Sequence, residues 1–160
     1  MFYLDSQLNR YYVGRAFTYN EIQYTRAGAT HETFVELGFT PVTIQARPDD
    51  RFYIVGSVNN DGSYQSSPRD VEELKTSFIA SLKSEAHTIL SRTDWYIIRA
   101  LESGILGTPS TVPAGASNYR SQIRSVVDAR EAAIAACTTV QELKTVIDTP
   151  VEYPEELGGY

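Results

Sequence analysis

Apolar residues follow one spacing in the first part of the chain and a different spacing in the rest. Before residue 66, short aromatic and β-branched runs alternate with turns rich in glycine, proline and asparagine. In the run "PVTIQA", Val42 and Ile44 are separated by a polar residue, which is the alternation of a strand with one solvated face. The pattern predicts a small antiparallel β unit in residues 1–66.

Three further runs in this part favour strands, namely "RYYVG", "YNEIQYT" and "RFYIVGSV". The run Asn59–Gly62 is expected to turn, because asparagine, aspartate and glycine tolerate positive φ. In "HETFVELGF", a single helical turn is expected to stop at Gly38. The first unit is therefore predicted to be mostly strand and turn.

From Ser67 onward the apolar residues recur every three or four positions, which is the spacing of amphipathic helices. Ser67 is expected to cap the first helix, with Pro68 at its first position, and the helix is expected to run to about Ser91. Its predicted buried stripe consists of Val71, Leu74, Phe78, Leu82, Ala86 and Ile89.

Two more helices are predicted to follow. Thr93 is expected to cap the first of them, with Asp94 in its first turn, and Gly104 is expected to end it. The other is expected to begin near Pro113. Its predicted stripe consists of Tyr119, Ile123, Val126, Val127, Arg130 and Ile134.

The sequence Thr139–Glu142 fits a capping box and predicts a short last helix that Pro150 ends. Strands first and helices afterwards define an α+β fold, with a small N-terminal antiparallel β unit followed by a helical C-terminal region. The predicted parts are an aromatic-rich β domain in residues 1–66, a helical domain in residues 67–150 and an extended tail in residues 151–160.

Composition and charge exclude several classes of function. The chain has 42% apolar and 21% charged residues, which is typical of a globular protein. Its net charge of -6 argues against binding nucleic acid, which needs clustered lysine and arginine. No apolar run approaches the roughly 18–20 residues that cross a membrane, so no membrane partner is expected. The first twelve residues lack a basic patch followed by an apolar core, so no signal peptide is expected.

The residues that usually carry catalysis or bind metals are few and scattered. His31 and His87 lack the i+4 histidine or neighbouring cysteine of a metal site, so no metal ligand is predicted. Asp49 and Asp50 are adjacent carboxylates of the kind used in acid–base chemistry, but a solvated turn is the favoured interpretation. The glycine motifs of phosphate-binding loops and nucleophile elbows are absent. We therefore expect a protein that acts by contact, without a cofactor and not as an enzyme.

Cys137 is the single cysteine, which excludes an internal disulfide framework and fits a reducing compartment. It follows "AIAA" at a predicted helix end. The favoured interpretation is a small buried residue. The alternative is an intermolecular disulfide, if Cys137 is exposed on an assembled extracellular particle.

At "ILSRTDWYIIRALESG", followed by "VPAGASNYRSQIR", the chain resembles the tail-fibre assembly chaperones of tailed bacteriophages, in the variant found in phages of cyanobacteria and marine bacteria. The shared features are a Thr-Asp-Trp turn, an arginine shortly after it, and a helix with Tyr-Arg-x-x-x-Arg. The positions that carry the resemblance are Leu90, Thr93, Asp94, Trp95, Arg99, Glu102, Gly104, Tyr119, Arg120 and Arg124. The segments "FTYNEIQYTRAGATHETFVELGFTPV" and "RPDDRFYIV" are also similar.

The resemblance implies a non-catalytic protein that binds the C-terminal region of a trimeric tail fibre, helps it fold and trimerise, or caps it. The expected location is the host cytoplasm during phage assembly, with retention in the virion tail for some members. The implied partner-binding residues are Asp94, Trp95, Arg99, Tyr119, Arg120 and Arg124.

The chain departs from the family pattern after Arg124, where it runs on through a further helical stretch. A permanent virion structural protein of the tail fibre or baseplate is therefore the alternative function, with other tail proteins as partners. A third hypothesis is an enzyme that acts on a host-envelope polymer through Asp49 and Asp50.

Trp95, the single tryptophan, has two interpretations. In the first, Thr93 caps a helix, the Trp95 ring packs between helices, and Arg99 or Arg124 pairs with an acid. In the second, Trp95 belongs to a fibre-binding surface, because tryptophan, tyrosine and arginine are the residues that most often dominate binding energy.

Overall fold

The computed structural model describes residues 1–107 and 110–155. The chain divides into two compact units, Met1–Pro68 and Arg69–Tyr160, so the division lies two residues after the predicted one. Short antiparallel strands dominate the first unit, and the regular elements described in the second are helices. The predicted α+β class is thereby confirmed.

The first unit contains seven strands and one short helix within its described residues. These elements are β1 (Phe2–Leu4), β2 (Arg10–Tyr11), β3 (Phe17–Tyr19), β4 (Ile22–Tyr24), α1 (His31–Glu36), β5 (Thr40–Val42), β6 (Tyr53–Val58) and β7 (Tyr64–Pro68). The strands β2, β1 and β5 form one antiparallel sheet with β1 in the middle. Strand β1 was not predicted, because its three residues are all buried and show no alternation.

The run "YNEIQYT" contains the turn and the second strand of a hairpin, and the first strand begins before it, at Phe17. Strands β3 and β4 pair around Asn20 and Glu21, whose φ values are 47° and 64°. Two successive positive φ values make the two-residue turn whose twist suits a β-hairpin. The Phe17 and Tyr24 rings stack across the hairpin with centroids 4.5 Å apart.

An aromatic core holds the first unit together. Tyr3, Phe34 and Phe39 are buried with Ala29, and the Tyr3 and Phe34 ring centroids lie 4.7 Å apart. Helix α1 supplies Phe34 and is capped by Thr30, whose side chain accepts a hydrogen bond from the backbone N–H of Thr33. As predicted, Gly38 follows this helix with a positive φ of 78°.

Strands β6 and β7 form a hairpin whose turn contains Gly62, at φ 85°. A Cβ at this position would lie 2.1 Å from the Thr43 carbonyl oxygen, so only glycine fits. The predicted helix start at Ser67 and Pro68 was wrong, since both residues extend β7. The cap of the following helix is Asp70, whose carboxylate accepts a hydrogen bond from the Glu73 N–H at 2.9 Å.

The second unit contains four helices in its described part. They are α2 (Val71–Ser91), α3 (Asp94–Ile105), α4 (Ala114–Ala136) and α5 (Val140–Asp148). Helix α4 packs along α2, and α5 contacts both. The predicted stripes of α2 and α4 are buried or half-buried, with Ile123 and Ile134 almost completely enclosed.

The ends of α3 and α5 differ from each other in how well the sequence predicts them. Thr139 and Glu142 form the predicted capping box of α5. The predicted end of α3 at Gly104 was wrong, because the helix continues to Ile105 and the residue with positive φ is Gly107.

Residues 151–155 of the predicted tail form no regular element, and residues 156–160 lie outside the described residues. Among the described helices, none has the length and apolar character needed to span a membrane.

Candidate interaction site

The turn between α2 and α3 is held by an arginine that α4 contributes. Nη1 of Arg120 donates to the Leu90 carbonyl oxygen at 2.9 Å, to Thr93 Oγ1 at 2.8 Å and to Asp94 Oδ1 at 2.7 Å. Two N–H groups are therefore shared among three oxygens. The Arg120 side chain is only 12% exposed, so these bonds are shielded from water and correspondingly strong. Arg120 joins three helices at one point.

Thr93 occupies the N-cap position of α3 but does not cap it through its side chain. Its hydroxyl donates to the Leu90 carbonyl oxygen at 2.9 Å and accepts from Arg120. Thr93 is only 5% exposed, so its hydroxyl stabilises the buried turn between α2 and α3. The predicted cap was right in position and wrong in its hydrogen bond.

A second arginine of α4 binds the end of another helix. Nη2 of Arg130 donates to the carbonyl oxygens of Thr149 at 2.6 Å and Ile147 at 3.4 Å, at the C-terminal end of α5. The last carbonyls of a helix lack partners within the helix and favour cations. Helix α4 thus uses Arg120 at the end of α2 and Arg130 at the end of α5.

Tyr119 lies beside Arg120 in α4 and is 6% exposed. It belongs to the same buried stripe as Ile123 and Val127. Tyr119 is therefore part of the core of the second unit. As a direct partner contact it would require this core to open.

Helix α3 is apolar on two faces. Tyr96, Ile97, Ala100 and Ser103 are half-buried and form its inner face. The opposite face, which we call the α3 outer face, is exposed and consists of Trp95, Ile98, Leu101, Ile105 and the adjoining Leu106. Trp95, Ile98 and Leu101 recur at the three-residue spacing of one helical face, and this face points to solvent.

Trp95 does not pack between helices, so that part of the first interpretation was wrong. Its side chain is 47% exposed, and its ring lies against Tyr96 with centroids 3.9 Å apart at 31°. Contact with the neighbouring ring leaves much of the indole surface exposed to solvent. A half-exposed tryptophan is the kind of residue that anchors protein interfaces.

The structure divides the six residues implied as partner contacts into two groups. Asp94, Tyr119 and Arg120 hold the helices together, and Asp94 pairs with Arg120. Trp95, Arg99 and Arg124 are exposed and available for contact. Ile105 and Leu106 were not predicted to belong to this surface, because the helix was expected to end at Gly104. The sequence feature that could have indicated them is that both are apolar and stand directly before Gly107, a residue type that often follows a helix.

The other chemistry-bearing residues are in structural roles. Asp49 accepts hydrogen bonds from Arg51, the closest at 2.7 Å, and Asp50 accepts them from Arg47, the closest at 2.9 Å. Each carboxylate thus has its own arginine in an exposed turn, as the turn interpretation predicted. Among residues 1–107 and 110–155, no group of three histidine, cysteine or acidic side chains is placed to hold a metal ion.

Cys137 and the two histidines have local partners or lie apart from the α3 outer face. Cys137 is a free, buried thiol at the end of α4, and its Sγ donates to the Ala133 carbonyl oxygen at 3.3 Å. An intermolecular disulfide from this position would require the helix end to open. His31 hydrogen-bonds through Nδ1 to the Tyr3 hydroxyl, and His87 is exposed on α2.

Compared with protein-family models, curated proteins and solved structures, the chain gives no match.

Proposed function

We propose that this protein is a non-catalytic assembly chaperone that binds the C-terminal region of a trimeric phage tail fibre. Two independent features support the proposal. One is the resemblance carried by the Thr93–Trp95 turn and the Tyr119–Arg124 segment. The other is the α3 outer face, an apolar surface that the helices of the second unit leave uncovered.

The α3 outer face is the observation that carries the proposal. Leu101, Ile105 and Leu106 are 63%, 85% and 77% exposed, although each is a residue that folding normally buries. Contiguous exposed apolar side chains of this kind mark surfaces that bind other proteins. Arg120 fixes the first turn of this helix, so the face is presented on a rigid support and loses little entropy on binding.

A fibre tip is a partner that needs such a surface. Trimeric fibres are rich in strands whose long-range pairing forms slowly and leaves edges and apolar side chains exposed meanwhile. A protein that covers these groups until the trimer closes suppresses misassembly. An apolar face bordered by charged residues, as on α3, suits reversible binding to such an intermediate.

The alternative function is a permanent structural protein of the tail fibre or baseplate. The observation that favours it is the stretch after Arg124, which is folded. Helix α4 continues to Ala136, and Arg130 fixes the end of α5. A region that is folded and held in this way suits a lasting place in a particle.

Co-expression with the C-terminal region of the adjacent tail-fibre protein tests the chaperone function. We expect the fibre region to be insoluble alone, and soluble, trimeric and bound to this chain when both are made together. Purification followed by light scattering gives the mass of the complex. A fibre region that is soluble alone and leaves no complex with this chain would contradict the proposal.

Matched variants locate the binding surface in the same experiment. Ile98→Ser removes an apolar side chain from the α3 outer face and should abolish the complex. Ile54→Ser removes a side chain of the same type and similar exposure from the first unit and should leave the complex intact. Mass spectrometry of mature virions then separates the two functions, since a transient chaperone is absent from the particle and a structural protein is present.

A further inference from the structure

The α3 outer face is large for a surface that remains in water. Its five apolar side chains are between 47% and 85% exposed. Since a large apolar side chain presents roughly 150–250 Å², the face amounts to on the order of 600 Å², at the top of the range for the largest patch on a monomer. A stable interface buries about 800 Å² on each partner. The face therefore supplies most of the area that one interface needs.

Charged residues border this face in a self-complementary way. Arg99 and Glu102 follow Trp95 by four and seven residues, so both lie along the same edge of the helix. Both are exposed. Asp94, at the start of the helix, is already paired with Arg120. The edge thus presents one positive and one negative charge, one helical turn apart.

We propose that a second copy of this chain covers the α3 outer face, with the two α3 helices packed antiparallel about a twofold axis. In such a pair, the helix edge that carries Arg99 and Glu102 contacts the same edge of the second copy. Arg99 then lies opposite Glu102 of the second copy, and Glu102 opposite its Arg99. A parallel pair would instead set this edge against the opposite edge of the second helix, where the apolar Ile97 and Leu101 lie, and would leave both charges without a partner.

The same register places the apolar residues in contact. The twofold axis passes between Ala100 and Leu101, so Leu101 packs near its own counterpart at the centre. Trp95 of each copy then lies against Ile105 and Leu106 of the other, near the two ends. All five apolar side chains of the face become covered, and the charges form the rim, as in typical interfaces.

This inference stands apart from the proposed function, because it concerns the chain alone. Where both hold, the fibre and the second copy bind the same face and therefore compete. A dimer would then keep the face covered until a fibre segment displaces one copy. Failure of the dimer in the isolated protein and failure of the fibre complex are separate observations.

Sedimentation equilibrium of the full chain over a concentration series tests the pairing. We expect a reversible monomer–dimer equilibrium for the wild type. Leu101→Glu should raise the dimer dissociation constant by at least about 100-fold, because it sets two carboxylates at the centre of the interface. Ile54→Ser, outside the face, should leave the constant unchanged. Circular dichroism should show that each variant is folded.

Charge exchange supplies the sharper test. Arg99→Glu alone and Glu102→Arg alone should each weaken the dimer by about tenfold, because each sets like charges opposite each other. The double variant should regain the wild-type constant, and mixing the two single variants should give a heterodimer. Arg124→Glu, a charge reversal outside α3, should have no effect. A wild-type chain that stays monomeric, a dimer that survives Leu101→Glu, or single variants that fail to pair when mixed would each overturn the proposal.

Discussion

Helices α3 and α5 are both short helices of the second unit, and both carry apolar residues at helical spacing. In α5, Val140 and Leu143 are buried, whereas α3 has no buried residue and leaves Leu101 63% exposed. Helix α5 is fixed by a capping box at its start and by Arg130 at its end. Apolar periodicity therefore identifies a helix, while the neighbouring elements decide which of its apolar faces becomes part of the core.

The largest effect should come from truncating one leucine in each helix. Leu143→Ala removes a fully buried side chain and should lower the free energy of unfolding by about 2–5 kcal/mol. Leu101→Ala should change it by no more than about 0.5 kcal/mol. Urea titration at concentrations that keep the chain monomeric measures both. Equal losses in the two variants would mean that α3 buries Leu101 after all.

The next effect concerns the arginine that fixes α3. Arg120→Ala should cost about 2–3 kcal/mol, because it leaves buried oxygens of the turn without their donor. We expect no larger loss of stability, because the Asp94 carboxylate is half-exposed and can be hydrated when Arg120 is removed. Arg124→Ala on the exposed side of α4 is the matched control and should be nearly neutral. A neutral Arg120→Ala would show that the turn holds its shape alone. Urea titration again gives the values.

A smaller effect is expected at the cap of α5. Thr139→Ala removes the hydroxyl that accepts the Glu142 N–H and should lower stability by about 1 kcal/mol. Thermal unfolding followed by circular dichroism measures this change. Thr145→Ala, an exposed threonine within the same helix, is the control. If the two variants lose equal stability, the capping box contributes nothing particular.

The smallest effect is the pH dependence of the same cap. Hydrogen bonds from the Thr138 N–H, the Thr138 hydroxyl and the Thr139 N–H hold the pKa of the Glu142 carboxyl below its usual 4.5. A carboxyl with a lowered pKa stabilises the fold above 4.5, and this contribution disappears as the pH falls through the folded pKa. The stability advantage of wild type over Glu142→Gln should therefore be largest near neutral pH and vanish in acid. An advantage that grows on acidification would refute this cause.

The sequence predicted the elements of the second unit well, because one stripe at helical spacing suffices to define each helix. It located Ile123 and Ile134 in the core. It could not decide the orientation of α3, because Ile97 and Ala100 on one side compete with Ile98 and Leu101 on the other. That choice depends on which neighbours are present, which is a property of the packed unit and not of the helix.

Errors in the first unit and at helix ends have local physical reasons. Ser67 and Pro68 have the pattern of a helix start, but Asp70 is an equally good cap for α2. Ser67 and Pro68 pair with β6 instead and belong to β7. Gly104 looks like a helix end, but a helix ends where the backbone turns left-handed, and here that is Gly107. Of the candidate site, the resemblance implied Arg120 as a partner contact and gave no indication that its side chain would face inward.

Arg120 has a consequence for synthesis. The oxygens that it joins stand 26 to 30 residues earlier in the chain, so they leave the ribosome before their donor does. At roughly 5–20 residues per second, the arginine follows seconds later, whereas helices form in about a microsecond. During that interval α2 and α3 are formed but not yet joined at a fixed angle. In the nascent chain the orientation of α3, which carries Trp95, is therefore not yet fixed relative to α2. It becomes fixed when α4 has emerged and Arg120 can bind the turn.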